Sequence, residues 1–116
     1  MKLTLTVHIT GRSARVHVAG DLDYGSTGLL LETVSELLVD PSGWQDLHLD
    51  FTDLAFCDSA GLSSLVVIHR RTTAAGIRLH LDHRPARLER ILRVTGLLEF
   101  LTTRPASLDS DESDIG

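Results

Sequence analysis

Alternation of apolar and polar residues opens the chain. Leu3, Leu5, Val7 and Ile9 alternate with Thr4, Thr6, His8 and Thr10, the period-two pattern of a strand with one apolar face. After Gly11-Arg12, a turn that can extend to Ser13, Val16 and Val18 face one way and Arg15 and His17 the other. Two strands joined by so short a turn predict an antiparallel hairpin. Gly20-Asp21-Leu22-Asp23-Tyr24-Gly25 then breaks the alternation. From about Ser26 the spacing becomes helical, with Leu30, Val34, Leu37 and Leu38 on one face, until Asp40-Pro41-Ser42-Gly43 stops it.

Leu47, Leu49 and Phe51 predict a third strand, with His48 and Asp50 on its other side. Thr52 to Asp58 reads as a loop leading into a helix from about Ser59 to Ala75. Its apolar positions include Leu62, Leu65, Val66, Val67 and Ile68, and Gly76 stands where a terminal glycine belongs. Ile77, Leu79 and Leu81 predict a fourth strand. Leu88, Ile91 and Leu92 stripe a helix from about Pro85 to Thr95, which Gly96 ends. Leu97 to Leu101 is apolar but too short to assign. There is no internal repeat.

Strands and helices that alternate after a hairpin require parallel pairing through right-handed crossovers. Each strand has an apolar and a polar face, so helices are expected on one side of the sheet only. The expectation is an α/β sandwich of two layers with a mixed sheet of four or five strands.

Composition narrows this picture. A chain of 116 residues has room for one domain, expected over residues 1–103, with 104–116 a polar, acidic tail expected to be disordered. Aromatics are only 4% of the chain, so the core is expected to consist of Leu, Val, Ile and Ala. One cysteine, Cys57, cannot form an internal disulfide and suggests a reducing compartment. With no secretory signal pattern and no stretch near 18 apolar residues, a cytoplasmic protein without a membrane partner is expected. Net charge is −5, of which Asp109, Asp111, Glu112 and Asp114 supply four; the remaining −1 leaves no basic footprint for nucleic acid. Nothing resembles a Gly-rich phosphate loop of the P-loop type, so no nucleotide cofactor is expected.

The chemistry concentrates in Phe56-Cys57-Asp58-Ser59-Ala60-Gly61-Leu62, where a serine opens a helix. Such a serine can serve as an N-cap. Equally, its hydroxyl lies at the positive end of the helix dipole, where an added phosphate is tolerated. Asp58-Ser59-Ala60-Gly61-Leu62 resembles the Asp-Ser-(Ser/Thr)-Gly-Leu signature of STAS-domain anti-sigma factor antagonists. Gly20-Asp21-Leu22-Asp23 is similar to that family's Gly-Glu-Leu-Asp, Leu49-Asp50-Phe51-Thr52 to its Asp-Leu-Ser, and Arg93-Val94-Thr95-Gly96-Leu97 to its late Thr-Gly-Leu. In family order these matches span roughly residues 3 to 101.

The resemblance implies that Ser59 is phosphorylated by an anti-sigma factor that is itself a Ser/Thr kinase. The free form binds that kinase and displaces its sigma factor, phosphorylation blocks binding, and a PP2C-type phosphatase resets the switch. It also implies a partner surface of Asp21, Asp23, Asp58, Ser59, Ala60, Gly61 and Leu62. Ala60 departs from the family pattern, one position after the residue that is modified. Asp23 alternatively caps the helix that follows it, and Asp50 reads as a loop-fixing acceptor.

Other readings remain at this stage. STAS domains also serve as accessory subunits of membrane lipid-transport complexes. A strand, Ser59, then a helix, with His69, His80 and His83 downstream, resembles a hydrolase elbow but lacks the first glycine of Gly-x-Ser-x-Gly. His8, His17, His48 and His80 share the polar face and form a metal site only if the strands align them. Cys57 reads as a small buried hydrophobe, with a redox sensor as the alternative.

Overall fold

The computed structural model describes residues 2–39 and 43–102. The N-terminal alternation becomes β1 (Thr4–Thr10) and β2 (Ser13–Leu22), paired antiparallel with Thr10 opposite Ser13. The first helix, α1 (Thr27–Val39), leads to β3 (Asp46–Asp50), which runs parallel to β2. Next come β4 (Leu54–Cys57), α2 (Ser59–Ala74) and β5 (Arg78–Asp82), with β5 parallel to β3. Finally, α3 (Ala86–Thr95) and α4 (Leu97–Thr102) follow. The sheet order is β1-β2-β3-β5, and β4 lies alongside the end of β2. This is the mixed two-layer α/β arrangement expected from the pattern.

Particular elements differ from expectation. Gly20 does not end the second strand but bends it. Its φ is +100°, a Cβ there would lie 2.1 Å from the Lys2 carbonyl oxygen, and the pairing register with β4 shifts between Gly20 and Asp21. Part of the expected loop from Thr52 to Asp58 is strand β4, hidden from pattern reading because only four residues pair and two of them, Ala55 and Phe56, are exposed. The unassigned Leu97–Leu101 stretch lies in α4, which buries Leu101 completely. The stop residues Asp40, Pro41 and Ser42, and the tail, lie outside the described residues.

Val16, Val18 and Leu22 of β2, Leu47 and Leu49 of β3, and Leu65 and Ile68 of α2 are fully buried. The expectation of a purely aliphatic core fails, because Phe51 is the largest fully buried side chain and Trp44 is buried as well. Nor does the helical layer cover the whole sheet. Val7 and Ile9 of edge strand β1 are 39% and 56% exposed, so that layer stops short of the far half of β1.

The opposite face carries charge. Arg15 and His17 on β2, Asp46, His48 and Asp50 on β3, and Arg78, His80 and Asp82 on β5 stand in register. His48 Nδ1 lies 2.8 Å from Asp82 and His80 Nε2 lies 2.9 Å from Asp46, while the two rings stack at 4.3 Å. Arg15 approaches Asp82 at 3.3 Å. The face is therefore a lattice of paired charges, laid out by parallel registry.

Candidate functional site

The bend at Gly20 carries β2 past the sheet centre, so that Leu22 pairs with Cys57 at the end of β4. There α2 begins. Asp58 has an extended backbone and caps the helix: its Oδ1 accepts the Gly61 N–H at 2.9 Å, and its carbonyl accepts that of Leu62 at 3.0 Å. The cap is thus Asp58, not Ser59 as the sequence allowed. Aspartate and serine are comparably good N-caps, and the aspartate one residue upstream takes the position.

Ser59 becomes the first residue of α2. It is exposed, and its hydroxyl has no hydrogen-bond partner among the described residues. Aligned peptide dipoles place partial positive charge at this helix end, and the first turn holds no acidic side chain besides the cap itself. The hydroxyl is free to react.

A second loop reaches the same place. The other oxygen of Asp58, Oδ2, accepts the backbone N–H of Tyr24 at 3.1 Å, joining the β2–α1 loop to the start of α2. Within that loop Asp23 Oδ1 accepts the N–H of Gly25 at 3.0 Å and lies 3.2 Å from the Ser26 hydroxyl. Asp23 also offers its carbonyl to the N–H groups of Ser26 and Thr27, closing the entry to α1. Its side chain therefore fixes the loop. Asp21 is half-buried, sits opposite Phe56 in register, and accepts the Ser26 hydroxyl through its carbonyl at 2.8 Å. Asp50 likewise binds locally, accepting the N–H and hydroxyl of Thr52 at 3.0 and 2.6 Å.

Gly61 is buried because α2 crosses β2 closely. A Cβ on it would meet the Leu22 carbonyl oxygen at 2.5 Å and Cys57 Sγ at 2.7 Å. Ala60 and Leu62 beside it are half-buried, and Leu62 packs on the core. Burial, with the neighbouring Asp58 charge adding to it, pushes the Cys57 thiol up to about 11. Two exposed aromatics outside the expected partner surface flank these residues: Tyr24, 86% exposed, and Phe56, 47% exposed, the latter opening the motif stretch itself. In a chain with one Tyr and three Phe, exposed rings next to a motif are the signal that could have found them.

The histidines stand apart from Ser59. His69 lies on α2 under Phe100, its ring 4.6 Å from that of Phe100; His80 pairs with Asp46; His83 follows β5. None bonds to the serine, so a hydrolase relay has no geometric support. Among the described residues no group of three or more His, Cys, Asp or Glu side chains is placed to hold a metal ion, and His17, His48 and His80 of that face instead turn toward carboxylates. Nor is any described helix long and apolar enough to cross a membrane.

A hairpin-led mixed sheet with helices on one face and a serine opening the second helix is the arrangement of a STAS domain. The family described as "Mlab, STAS domain" matches residues 5–103, and the chain belongs to it. Over 101 residues, 87% of the chain and 90% of the relative, it is 27% identical to the anti-sigma-B factor antagonist of Bacillus subtilis (strain 168). Its fold is similar to that of an anti-sigma factor antagonist from Mycobacterium paratuberculosis, with a TM-score of 0.76 at 20% identity, covering 97% of this chain and 93% of the other. A Bacillus cell fate determinant, SpoIIAA, solved in its phosphorylated form, shares the fold at a TM-score of 0.66 and 18% identity, covering 81% and 85%.

Proposed function

We propose that this chain is an anti-sigma factor antagonist, a cytoplasmic regulatory binding protein rather than an enzyme, that works by partner switching. With Ser59 free it binds an anti-sigma factor Ser/Thr kinase, which then releases its sigma factor. The kinase phosphorylates Ser59, the complex dissociates, and a PP2C-type phosphatase restores the free form. The observation that carries this reading is the exposed, unbonded Ser59 hydroxyl on the first residue of α2, directly after the Asp58 cap. The partner surface is proposed to comprise Asp21, Asp23, Asp58, Ser59, Ala60, Gly61 and Leu62.

Local electrostatics is sufficient for such a switch. A phosphate adds roughly −1.5 to −2 charge at neutral pH, here next to Asp58. Against a carboxylate of the bound partner about 6 Å away, at an effective dielectric of about 20, each added like-charge pair costs about 3 kcal/mol before screening. Salt and solvent reduce the total to about 1–3 kcal/mol, and 2.7 kcal/mol is roughly a hundredfold in affinity. No refolding of α2 is required.

The test is to incubate the chain with a candidate anti-sigma factor kinase and ATP and measure its intact mass. A gain of one phosphate that disappears in Ser59→Ala supports the proposal. A gain that persists in Ser59→Ala, or absence of any complex with the unmodified chain, overturns it.

A further inference from the structure

The polar face of the sheet is not uniform. In register across β1, β2, β3 and β5, His8, Arg15, His48 and His80 form one row of basic residues. The next row toward the β1–β2 turn is Thr10, Ser13, Asp46 and Arg78, and the row on the other side is Thr6, His17, Asp50 and Asp82. Every carboxylate of these rows stands on β3 or β5. The β1–β2 half offers a guanidinium, imidazoles and hydroxyls only.

Those carboxylates are already engaged. Asp46 accepts Arg78 at 2.8 and 3.0 Å and His80 at 2.9 Å. Asp50 accepts the N–H and hydroxyl of Thr52, and Asp82 lies 2.8 Å from His48 Nδ1. Arg15 reaches Asp82 at 3.3 Å and Asp50 at 3.7 Å, both through Nη1. It makes no hydrogen bond among the described residues, so the other donors of its fork are open. The side chains of His8, Thr10 and Ser13 likewise have no partner among the described residues.

These open groups surround a hollow. His8, Thr10, Ser13, Arg15 and His48 line a space of about 300 Å³ at the β1–β2 turn end of the face. That is the lower end of the roughly 300–1,000 Å³ of small-molecule sites. Arg12, in the turn itself, is exposed and has no carboxylate partner among the described residues, which adds positive potential beside the hollow. An oxyanion with a small substituent fits such a space.

The donor set favours phosphate over carboxylate. Arg15, His8 and the hydroxyls of Thr10 and Ser13 are four donor groups, which suit the oxygens of a tetrahedral oxyanion. His48 discriminates further. A carboxylate only accepts, so His48 Nδ1 donates to Asp82, and Nε2 of the neutral ring is an acceptor. A hydrogen phosphate supplies the hydroxyl that Nε2 needs. An ionised carboxylate has none.

We propose that this hollow binds the phosphate group of a small solute, gripped by Arg15, Ser13, Thr10 and His8. β2 runs from Ser13 at the hollow to Leu22 beside α2, so the site lies at the opposite end of that strand from Ser59. It does not depend on the function proposed for Ser59.

The test titrates the full chain, isotope-labelled, with sodium phosphate and separately with glycerol phosphate. One pH is kept throughout, and sodium chloride holds the ionic strength constant. The amides of residues 8–15 and of His48 are expected to move and to saturate in the millimolar range. Arg15→Gln is expected to weaken binding about tenfold or more, as loss of a charged donor does. His8→Ala, on the exposed edge strand, is expected to weaken it by a smaller factor, and it decides the matter should Arg15→Gln not fold. A lower midpoint for glycerol phosphate assigns the site to phosphomonoesters; an equal or higher one assigns it to free phosphate. The proposal is overturned if neither compound saturates by tens of millimolar or if sodium chloride alone reproduces the shifts. It is also overturned if the folded variants titrate as the wild type does.

Discussion

Asp58 and Tyr24, 34 positions apart in the chain, are joined by a 3.1 Å hydrogen bond from the Tyr24 N–H to Asp58 Oδ2. The other oxygen of Asp58 caps α2 through Gly61. One carboxylate therefore serves two loops, and the Ser59 hydroxyl is placed by the residue that precedes it. Replacing Asp58 with Ala removes a cap and a loop tie together. A loss of about 1–2 kcal/mol in unfolding free energy is expected, read as a lower urea midpoint. Asp58→Asn keeps one acceptor oxygen for the Gly61 cap bond but turns the other into an amide NH2 that cannot accept the Tyr24 N–H, so it is expected to lose less than alanine but more than nothing. Equal losses for the two variants would show that the cap bond to Gly61 contributes nothing measurable.

Gly61 is the narrowest point of the site. An added Cβ would lie 2.5 Å from the Leu22 carbonyl oxygen and 2.7 Å from Cys57 Sγ. The first of these is backbone and cannot turn aside, so α2 has to move away from β2. Gly61→Ala is expected to cost about 1–3 kcal/mol as an overpacked position. Helix propensity alone favours alanine by up to about 1 kcal/mol. The sign of the change in thermal midpoint decides between them: a more stable variant would mean that the close crossing is absent in solution.

Ser59 separates charge from geometry. Under the proposed function Ser59→Ala binds the kinase whether or not ATP is present, whereas wild type loses affinity after ATP by roughly a hundredfold. Ser59→Asp introduces a charge smaller than that of phosphate and is expected to bind at an intermediate level. Calorimetric titration of the three proteins measures this order. Weak binding by Ser59→Ala in the absence of ATP would mean that the hydroxyl itself is a contact.

The legible parts of this chain were those with long, regular patterns. Val16 and Val18 against Arg15 and His17 gave a strand, and Leu88, Ile91 and Leu92 gave a helix stripe, because burial on one side imposes a period. β4 escaped, since four residues with Ala55 and Phe56 exposed carry no period. Gly20 looked like an end because sequence does not distinguish a bulge from a turn. At the site, the motif located Ser59 but not the cap: two adjacent cap-forming residues, Asp58 and Ser59, compete, and only the helix start decides. Tyr24 was hidden for a different reason, since its link to Asp58 joins loops 34 residues apart.

The charged face predicts a pH response. Asp46 is bonded to Arg78 at 2.8 and 3.0 Å. That guanidinium, helped by His80 and opposed by burial, holds the Asp46 carboxyl far below the usual range. For Asp50, burial pushes the carboxyl up, but bonds from Thr52 and from His17 overcome it and leave it lowered. A carboxyl lowered in the folded state contributes stability above its unfolded value of about 3.9, and loses it as pH falls from there toward the folded value. Stability of the wild type should therefore exceed that of Asp46→Asn at pH 7, and the gap should narrow below about pH 4. Urea midpoints at several pH values measure the gap. A constant gap down to pH 3 would remove Asp46 from the acid response.

Cys57 tests the alternative of a redox sensor. Its thiol is pushed up to about 11 by burial and then by the Asp58 charge, and the thiolate is the form that attacks. At pH 7.5 the thiolate fraction is then below that of an ordinary cysteine, at about 8.5, by roughly two orders of magnitude. Iodoacetamide is expected to modify the folded chain slower than a short peptide by about that factor, and the rate is expected to recover in urea. Asp58→Asn removes the second cause while burial remains, so it should accelerate the reaction only modestly. Modification of the folded wild type at the peptide's rate would mean that Cys57 is open to solvent and reactive, and the sensor reading would then replace that of a core residue.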